Sequence, residues 1–162
     1  MDALPTAHQL MRRHVVVIAP EDSLGRASDL LRMGRMRAVP VLEHGRLVGE
    51  FSIWELVALF RRALVTDQTT APPGSSWPPA GLRALPVRRA MAPPRPGVAL
   101  ETPLRELAQR LVSDAAGYLP VVDGQGRLLG IVTESDLLRA TLRSAKPRPP
   151  ARRRRGRPRR QS

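Results

Sequence analysis

The chain carries one pattern twice, and that repeat restricts its fold more than any other feature. Met11 aligns with Met91, Glu21 with Glu101, Leu24 with Leu104, Leu31 with Leu111 and Pro40-Val41 with Pro120-Val121, all at an offset of 80. One additional residue in the second copy (Asp123-Gly124-Gln125-Gly126 against Glu43-His44-Gly45) moves the offset to 81. That offset then holds for Gly45-Arg46-Leu47 with Gly126-Arg127-Leu128, Gly49 with Gly130, Ser52 with Thr133 and Leu56 with Leu137. A repeat of this length predicts two copies of one supersecondary unit, packed together because neither buries its apolar face alone. Each copy spans about 50 residues, too few for comfortable independent folding. Function is therefore expected where the copies meet.

Composition narrows the field. The 162 residues suit one compact domain or two intimately packed halves. The absence of cysteine excludes disulfides, thiolate metal sites and cysteine nucleophiles. The longest apolar run, Val15-Val16-Val17-Ile18-Ala19, is too short to span a bilayer, and residues 1–14 lack a signal-peptide layout. A soluble, cytoplasmic chain with no membrane partner is the expectation. The formal net charge of +13 is unevenly spread: residues 139–162 hold eleven of the 27 Lys and Arg and no Asp or Glu. The rest has sixteen basic against fourteen acidic residues, so the body is nearly neutral and the tail carries the charge.

The β-branched run at 15–18 predicts a strand. Asp22 or Ser23 offers an N-cap to a helix with Leu24, Ala27 and Leu31 on its apolar side. Residues 39–42 and 47–51 predict two strands joined by a turn, and a helix follows over 53–64. In the second copy Thr102 is the candidate cap and Pro103 suits the first helical position. Leu104, Leu107, Ala108, Leu111 and Val112 form one buried stripe. Strands at 119–122 and 128–132 and a helix at 134–142 complete the unit. The prediction is an α+β fold of two strand-helix-strand-strand-helix repeats, residues 8–64 and 87–143. A Pro/Gly/Ser-rich linker, 65–86, joins them, with Trp77 as a candidate anchor onto the body. Residues 144–162 are Arg/Pro-rich without apolar periodicity and are expected to be disordered.

This duplicated unit resembles the CBS domain, the module named for cystathionine β-synthase. The resemblance rests on the stretch from Tyr118-Leu119-Pro120-Val121-Val122 through Gly130-Ile131-Val132-Thr133-Glu134-Ser135-Asp136-Leu137. In the first copy it rests on Ala38-Val39-Pro40-Val41, Gly45-Arg46-Leu47-Val48-Gly49, Ser52 and Leu56. It implies a pair packed about a pseudo-twofold axis, with clefts commonly occupied by AMP, ADP, ATP or S-adenosylmethionine. It also implies a sensor rather than a catalyst, commonly a homodimer, that needs no cofactor beyond such a regulatory ligand.

The family's nucleotide motif is Gly, two mainly apolar residues, Ser/Thr, two variable residues and Asp, and the second copy matches in full from Gly130 to Asp136. A carboxylate there can accept both ribose hydroxyls, and N–H groups at a helix start favour an anion. By resemblance, the site is Thr133 and Asp136 with Tyr118, Leu119, Pro120, Gly97 and Val98, and Arg95 is a weaker phosphate candidate. Gly97 stands where the family often has Thr. The first copy departs, with Glu55 in place of Asp and a charged Glu50, so Ser52, Glu55, Val17 and Ala38 make a weaker second site. Thr133-x-x-Asp136 and Ser52-x-x-Glu55 also read as helix capping boxes, and Ser52-x-x-Glu55 fits that device better than ribose binding.

Arg155-Gly156-Arg157-Pro158 in the tail is similar to the AT-hook, which lies in the minor groove of A·T-rich DNA. Independently of bases, such arginines bind phosphates of DNA or RNA by counterion release. Three classes of function therefore compete. The leading one is a regulatory module that binds an adenosine-containing ligand, chiefly through the second copy, and acts on an effector protein in another chain. The others are a nucleic-acid-associated protein and a ligand-free dimeric interaction module, for which Phe51, Trp54, Leu59 and Phe60 are interface or core candidates. An enzyme is not expected: the only histidines, His8, His14 and His44, show no metal-ligand spacing or nucleophile–base pairing.

Overall fold

The computed structural model describes residues 4–34, 36–65, 80–113 and 117–144. The first copy contains a helical turn α1 (Ala7–Leu10), helix α2 (Leu24–Gly34), strands β1 (Ala38–Glu43) and β2 (Arg46–Ser52), and helix α3 (Ile53–Val65). A short α4 (Ala80–Arg83) and a 3-10 turn (Val87–Arg89) lead into α5 (Leu104–Val112), β3 (Tyr118–Val122), β4 (Leu128–Thr133) and α6 (Glu134–Ser144). Trp77 and residues 145–162, with the AT-hook-like Arg155 to Pro158, lie outside the described residues.

Each copy builds one antiparallel hairpin. The first turns through His44 and Gly45, both at positive φ (50° and 80°), as a two-residue primed turn requires. In the longer second turn the N–H groups of Gln125 and Arg127 donate to Asp123 Oδ1 at 2.8 and 2.9 Å. These bonds, chiefly that from Arg127, hold the Asp123 carboxyl below its usual range. Both hairpins slip register at the same place, after Val41 and after Val121, so the bulge is duplicated with the sequence.

The expected strand at 15–18 is reduced to one residue. Ile18 bridges Val41 in parallel, with Ile18 N–H donating to Pro40 O (3.1 Å) and Leu42 N–H to Ile18 O (2.8 Å). The next ladder bond would need an N–H on residue 40, and proline has none. Pro120 stops the ladder at Val98 in the same way. Two smaller departures follow. α5 starts at Leu104 with Pro103 in the cap position, because the Thr102 carbonyl is engaged by Ala7 N–H at 2.8 Å. Val112 is 89% exposed, since the stripe of Leu104, Leu107 and Leu111 alone faces the core.

The copies exchange their leading segments. Thr6 bridges Pro103 and Arg12 bridges Ile131, placing residues 6–12 on the second copy. The counterparts Ser23–Pro86 and Glu50–Ala92 place residues 86–92 on the first. Arg46 bridges Arg127 where the hairpins meet. Two matched cores result. Ile18, Leu31, Val39, Val41, Phe51 and Val87 in one correspond to Val98, Leu111, Leu119, Val121, Val132 and Ala7 in the other. Phe51 accompanies the small Ala27, whereas Val132 accompanies Leu107, so the two size changes partly offset each other. Phe51 and Leu59 thus belong to the core, whereas Trp54 (64%) and Phe60 (44%) are exposed.

Candidate functional site

Two helix starts face the junction of the copies, and each is closed by its own side chains. Asp136 Oδ2 accepts the N–H and the hydroxyl of Thr133 at 3.1 and 2.6 Å. Glu55 Oε2 accepts the N–H of Ser52 at 2.8 Å and also its hydroxyl, while Ser52 Oγ accepts Trp54 N–H at 3.1 Å. Both acids therefore cap α6 and α3. Asp136 is buried and has a further partner: Arg12 Nε donates to Oδ1 at 3.0 Å and Oδ2 at 3.2 Å. Arg12 arrives from the exchanged leading segment; the aligned residue opposite Glu55 is Ala92.

Beside Thr133 lies a cleft of about 450 Å3 between the copies. Its walls are Val15 and Val16 from the first copy's lead-in, Ala38 and Pro40 from β1, and Tyr118 and Ile131 from the second copy. Arg12, His14, Arg37 and Glu134 supply charge and polarity at the lining. An apolar slot with a few polar groups at a repeat junction suits a flat, partly polar small molecule.

The arrangement brings Thr133, Tyr118 and Ala38 together, with Asp136 directly behind Thr133. Gly97, Val98, Leu119, Pro120 and Val17 are not among the lining residues. Val98 and Leu119 sit in the second core, and a Cβ on Gly97 would meet Val122 Cγ2 at 2.5 Å. The reason is the segment exchange: the lead-in at this cleft is residues 12–16 of the first copy, not 95–98 of the second. Arg12, His14, Val15, Val16 and Arg37 were therefore missed by sequence reading. The repeat alignment supplied residue correspondences, but no signal of which lead-in meets which helix.

The pseudo-equivalent positions beside Ser52 carry an internal polar network. Glu50, aligned with Ile131, is buried and accepts Arg95 Nε at 2.5 Å, a second bond from Arg95 Nη2, and the Tyr118 hydroxyl at 2.6 Å. The Arg95 guanidinium lies 5.0 Å from the Tyr118 ring centroid. Burial first, then the bond to Glu50, pushes the Tyr118 phenol far above its ordinary value, so it remains a neutral donor. Arg95 is thereby committed to Glu50 and Ser52 is buried. The Thr133 cleft has apolar walls and a charged rim, where the aligned positions on the Ser52 side hold an internal ion pair. Among the described residues there is no group of three or more His, Asp or Glu placed to hold a metal ion. No described helix is long and apolar enough to cross a membrane.

A duplicated α+β unit with exchanged leading segments and clefts between its copies defines a CBS pair. The CBS-domain pattern matches this chain twice, over residues 7–62 and 87–143, and the chain belongs to that family. A CBS domain-containing protein of Dictyostelium discoideum is 29% identical over 143 residues, covering 88% of this chain and 94% of the relative. Among solved structures, CBSX2 in complex with AMP superposes with a TM-score of 0.68 at 27% identity, covering 88% of this chain and 99% of that one. CBSX2 from Arabidopsis thaliana gives a TM-score of 0.67 at 27% identity, covering 86% and 96% of the two chains. The CBS-domain pair of protein MJ0100, in complex with 5′-methylthioadenosine and S-adenosyl-L-methionine, shares the fold at a TM-score of 0.62 and 18% identity, over 87% and 98%.

Proposed function

We propose that this protein is a non-catalytic regulatory module that binds one adenosine-containing ligand in the Thr133 cleft and reports occupancy to another protein chain. The observation that carries the reading is the open cleft beside Thr133, to which both copies contribute walls. At the aligned positions Glu50, Arg95 and Tyr118 form a hydrogen-bonded network on the Ser52 side, whereas Ile131, Val15 and Ala38 line the Thr133 cleft. AMP in the structure of CBSX2, 27% identical to this chain, supports the choice of an adenosine ligand. The base would lie in the apolar slot between Val15, Ala38 and Tyr118, with the ribose toward Thr133 and Asp136.

Calorimetric titration with AMP, ADP, ATP and S-adenosylmethionine tests this. One ligand should bind at one site per chain, and Val16→Trp, which places a bulky ring at a half-exposed lining position, should abolish binding without lowering the melting temperature. Failure of all four ligands, or undiminished binding to Val16→Trp, removes the reading.

A second reading applies to the basic segment. Eleven Lys and Arg without an acid in residues 139–162 favour polyanion binding, with Arg155, Gly156, Arg157 and Pro158 as the groove-directed core. Retention on DNA should fall steeply with salt and be lost when residues 145–162 are removed.

A further inference from the structure

We infer that Arg12 is an exchangeable partner of Asp136, and that this exchange makes the Thr133 cleft select phosphorylated adenosine over uncharged adenosine. The inference rests on the adenosine reading of the cleft and adds the ligand's charge class.

The carboxylate of Asp136 has about four acceptor positions. Thr133 takes two bonds on Oδ2, and Arg12 Nε reaches both oxygens at 3.0 and 3.2 Å. Arg139 Nη1 adds an ion-pair contact to Oδ1 at 3.8 Å. Arg12 has one Nε–H shared between the two oxygens, so a ribose diol can engage Asp136 with both hydroxyls only after Arg12 leaves it. Arg12 is built to leave without disturbing the fold. Its backbone is fixed on β4, with Arg12 N–H donating to Ile131 O at 2.8 Å and Ile131 N–H to Arg12 O at 3.0 Å. Its side chain is 47% exposed, whereas that of Asp136 is 5% exposed. The side chain can swing while the main chain stays.

Its destination is set by the same cleft. Arg12, His14 and Arg37 line it against a single acidic lining residue, Glu134. A ligand phosphate there offers the guanidinium two oxygens for a paired, two-donor contact, which its single Nε–H on Asp136 does not make. A nucleoside without phosphate displaces Arg12 and returns nothing to it.

The test uses the full chain, unmodified and as Arg12→Ala and Arg12→Lys, titrated with adenosine and with AMP. The basic segment is common to all three proteins, so its contribution cancels in the ratios. The unmodified protein should bind AMP about tenfold or more tightly than adenosine. Arg12→Ala should bind adenosine several-fold more tightly, because Asp136 is released, and AMP about tenfold more weakly. The preference then collapses, and Arg12→Lys, which keeps the charge without the fork, should retain part of it. Melting curves confirm that each variant is folded. If adenosine binds but Arg12→Ala shifts both ligands by the same factor, the exchange is wrong and the adenosine reading stands. If neither ligand binds any of the three proteins, the adenosine reading itself has failed and the inference falls with it.

Discussion

Glu50 and Ile131 occupy the same place in the two copies, and with Arg95 against Val15 and Tyr118 against Ala38 they set a charged network on one side and an apolar wall on the other. Removing one member of a buried ion pair leaves the other uncompensated, while removing both in favour of apolar groups is close to neutral. Glu50→Ile should lower stability by about 1.5–3 kcal/mol, because Arg95 and the Tyr118 hydroxyl lose their bonds to a buried carboxylate. The triple change Glu50→Ile, Arg95→Val, Tyr118→Phe should recover most of that loss in urea unfolding. Equal destabilisation of the single and triple variants would mean that the pair does not act as a unit. This network was only half legible in the sequence. Glu50 stood out as a charge where its copy has an apolar residue, but its partners lie 45 and 68 positions away. The Arg12–Asp136 contact, across 124 positions, was not legible at all. The motif glycines have a plain physical role. A Cβ on Gly130 would meet the Arg12 carbonyl oxygen at 2.6 Å, and one on Gly49 the Ala92 carbonyl oxygen at 2.9 Å. They admit the exchanged segment.

At the scale of elements, periodicity located the helices and hairpins, and failed where a hydrogen-bond donor was missing. The run at 15–18 has strand-forming side chains, yet Pro40 denies it a ladder, so it becomes a cleft wall instead. The helices α3 and α6 show what periodicity leaves open. Ile53, Trp54, Val57 and Phe60 form one exposed stripe on α3, and α6 exposes Leu138 and Leu142, with Val57 and Leu138 at aligned positions. Sequence alone could not separate an internal core role from an interface. The structure puts Phe51 in the core and leaves Trp54 outside. Four large apolar side chains clustered on one helix suit an interface better than a solvated face, and the expected occupant is the same pair of helices in a second copy. Trp54→Glu should convert a dimer to a monomer in sedimentation while the melting of the monomer is preserved. A monomeric unmodified protein at micromolar concentration would defeat that expectation.

For the molecule as a whole, duplication without exchange would give two weak units side by side, and exchange makes them one. Val87 and Met91 complete the first core, and Ala7, Leu10 and Met11 complete the second, so each core contains residues from both copies. The open cleft is a product of the same exchange, because its Arg12 and Val15 come from one copy and its Thr133 and Tyr118 from the other. Folding, site and coupling are then properties of the pair. A small unit deprived of part of its core falls below the size and burial needed for stability. Residues 1–65 alone should therefore show no cooperative thermal transition, and neither should residues 80–162. Mixed in equal amounts, the two pieces should regain a single transition and the dispersed amide spectrum of the intact chain, since Ser23–Pro86, Glu50–Ala92, Thr6–Pro103 and Arg12–Ile131 all form across the cut. A piece that melts cooperatively by itself would show that its core does not need the exchanged segment, and would leave the cleft as a contact between two independent domains.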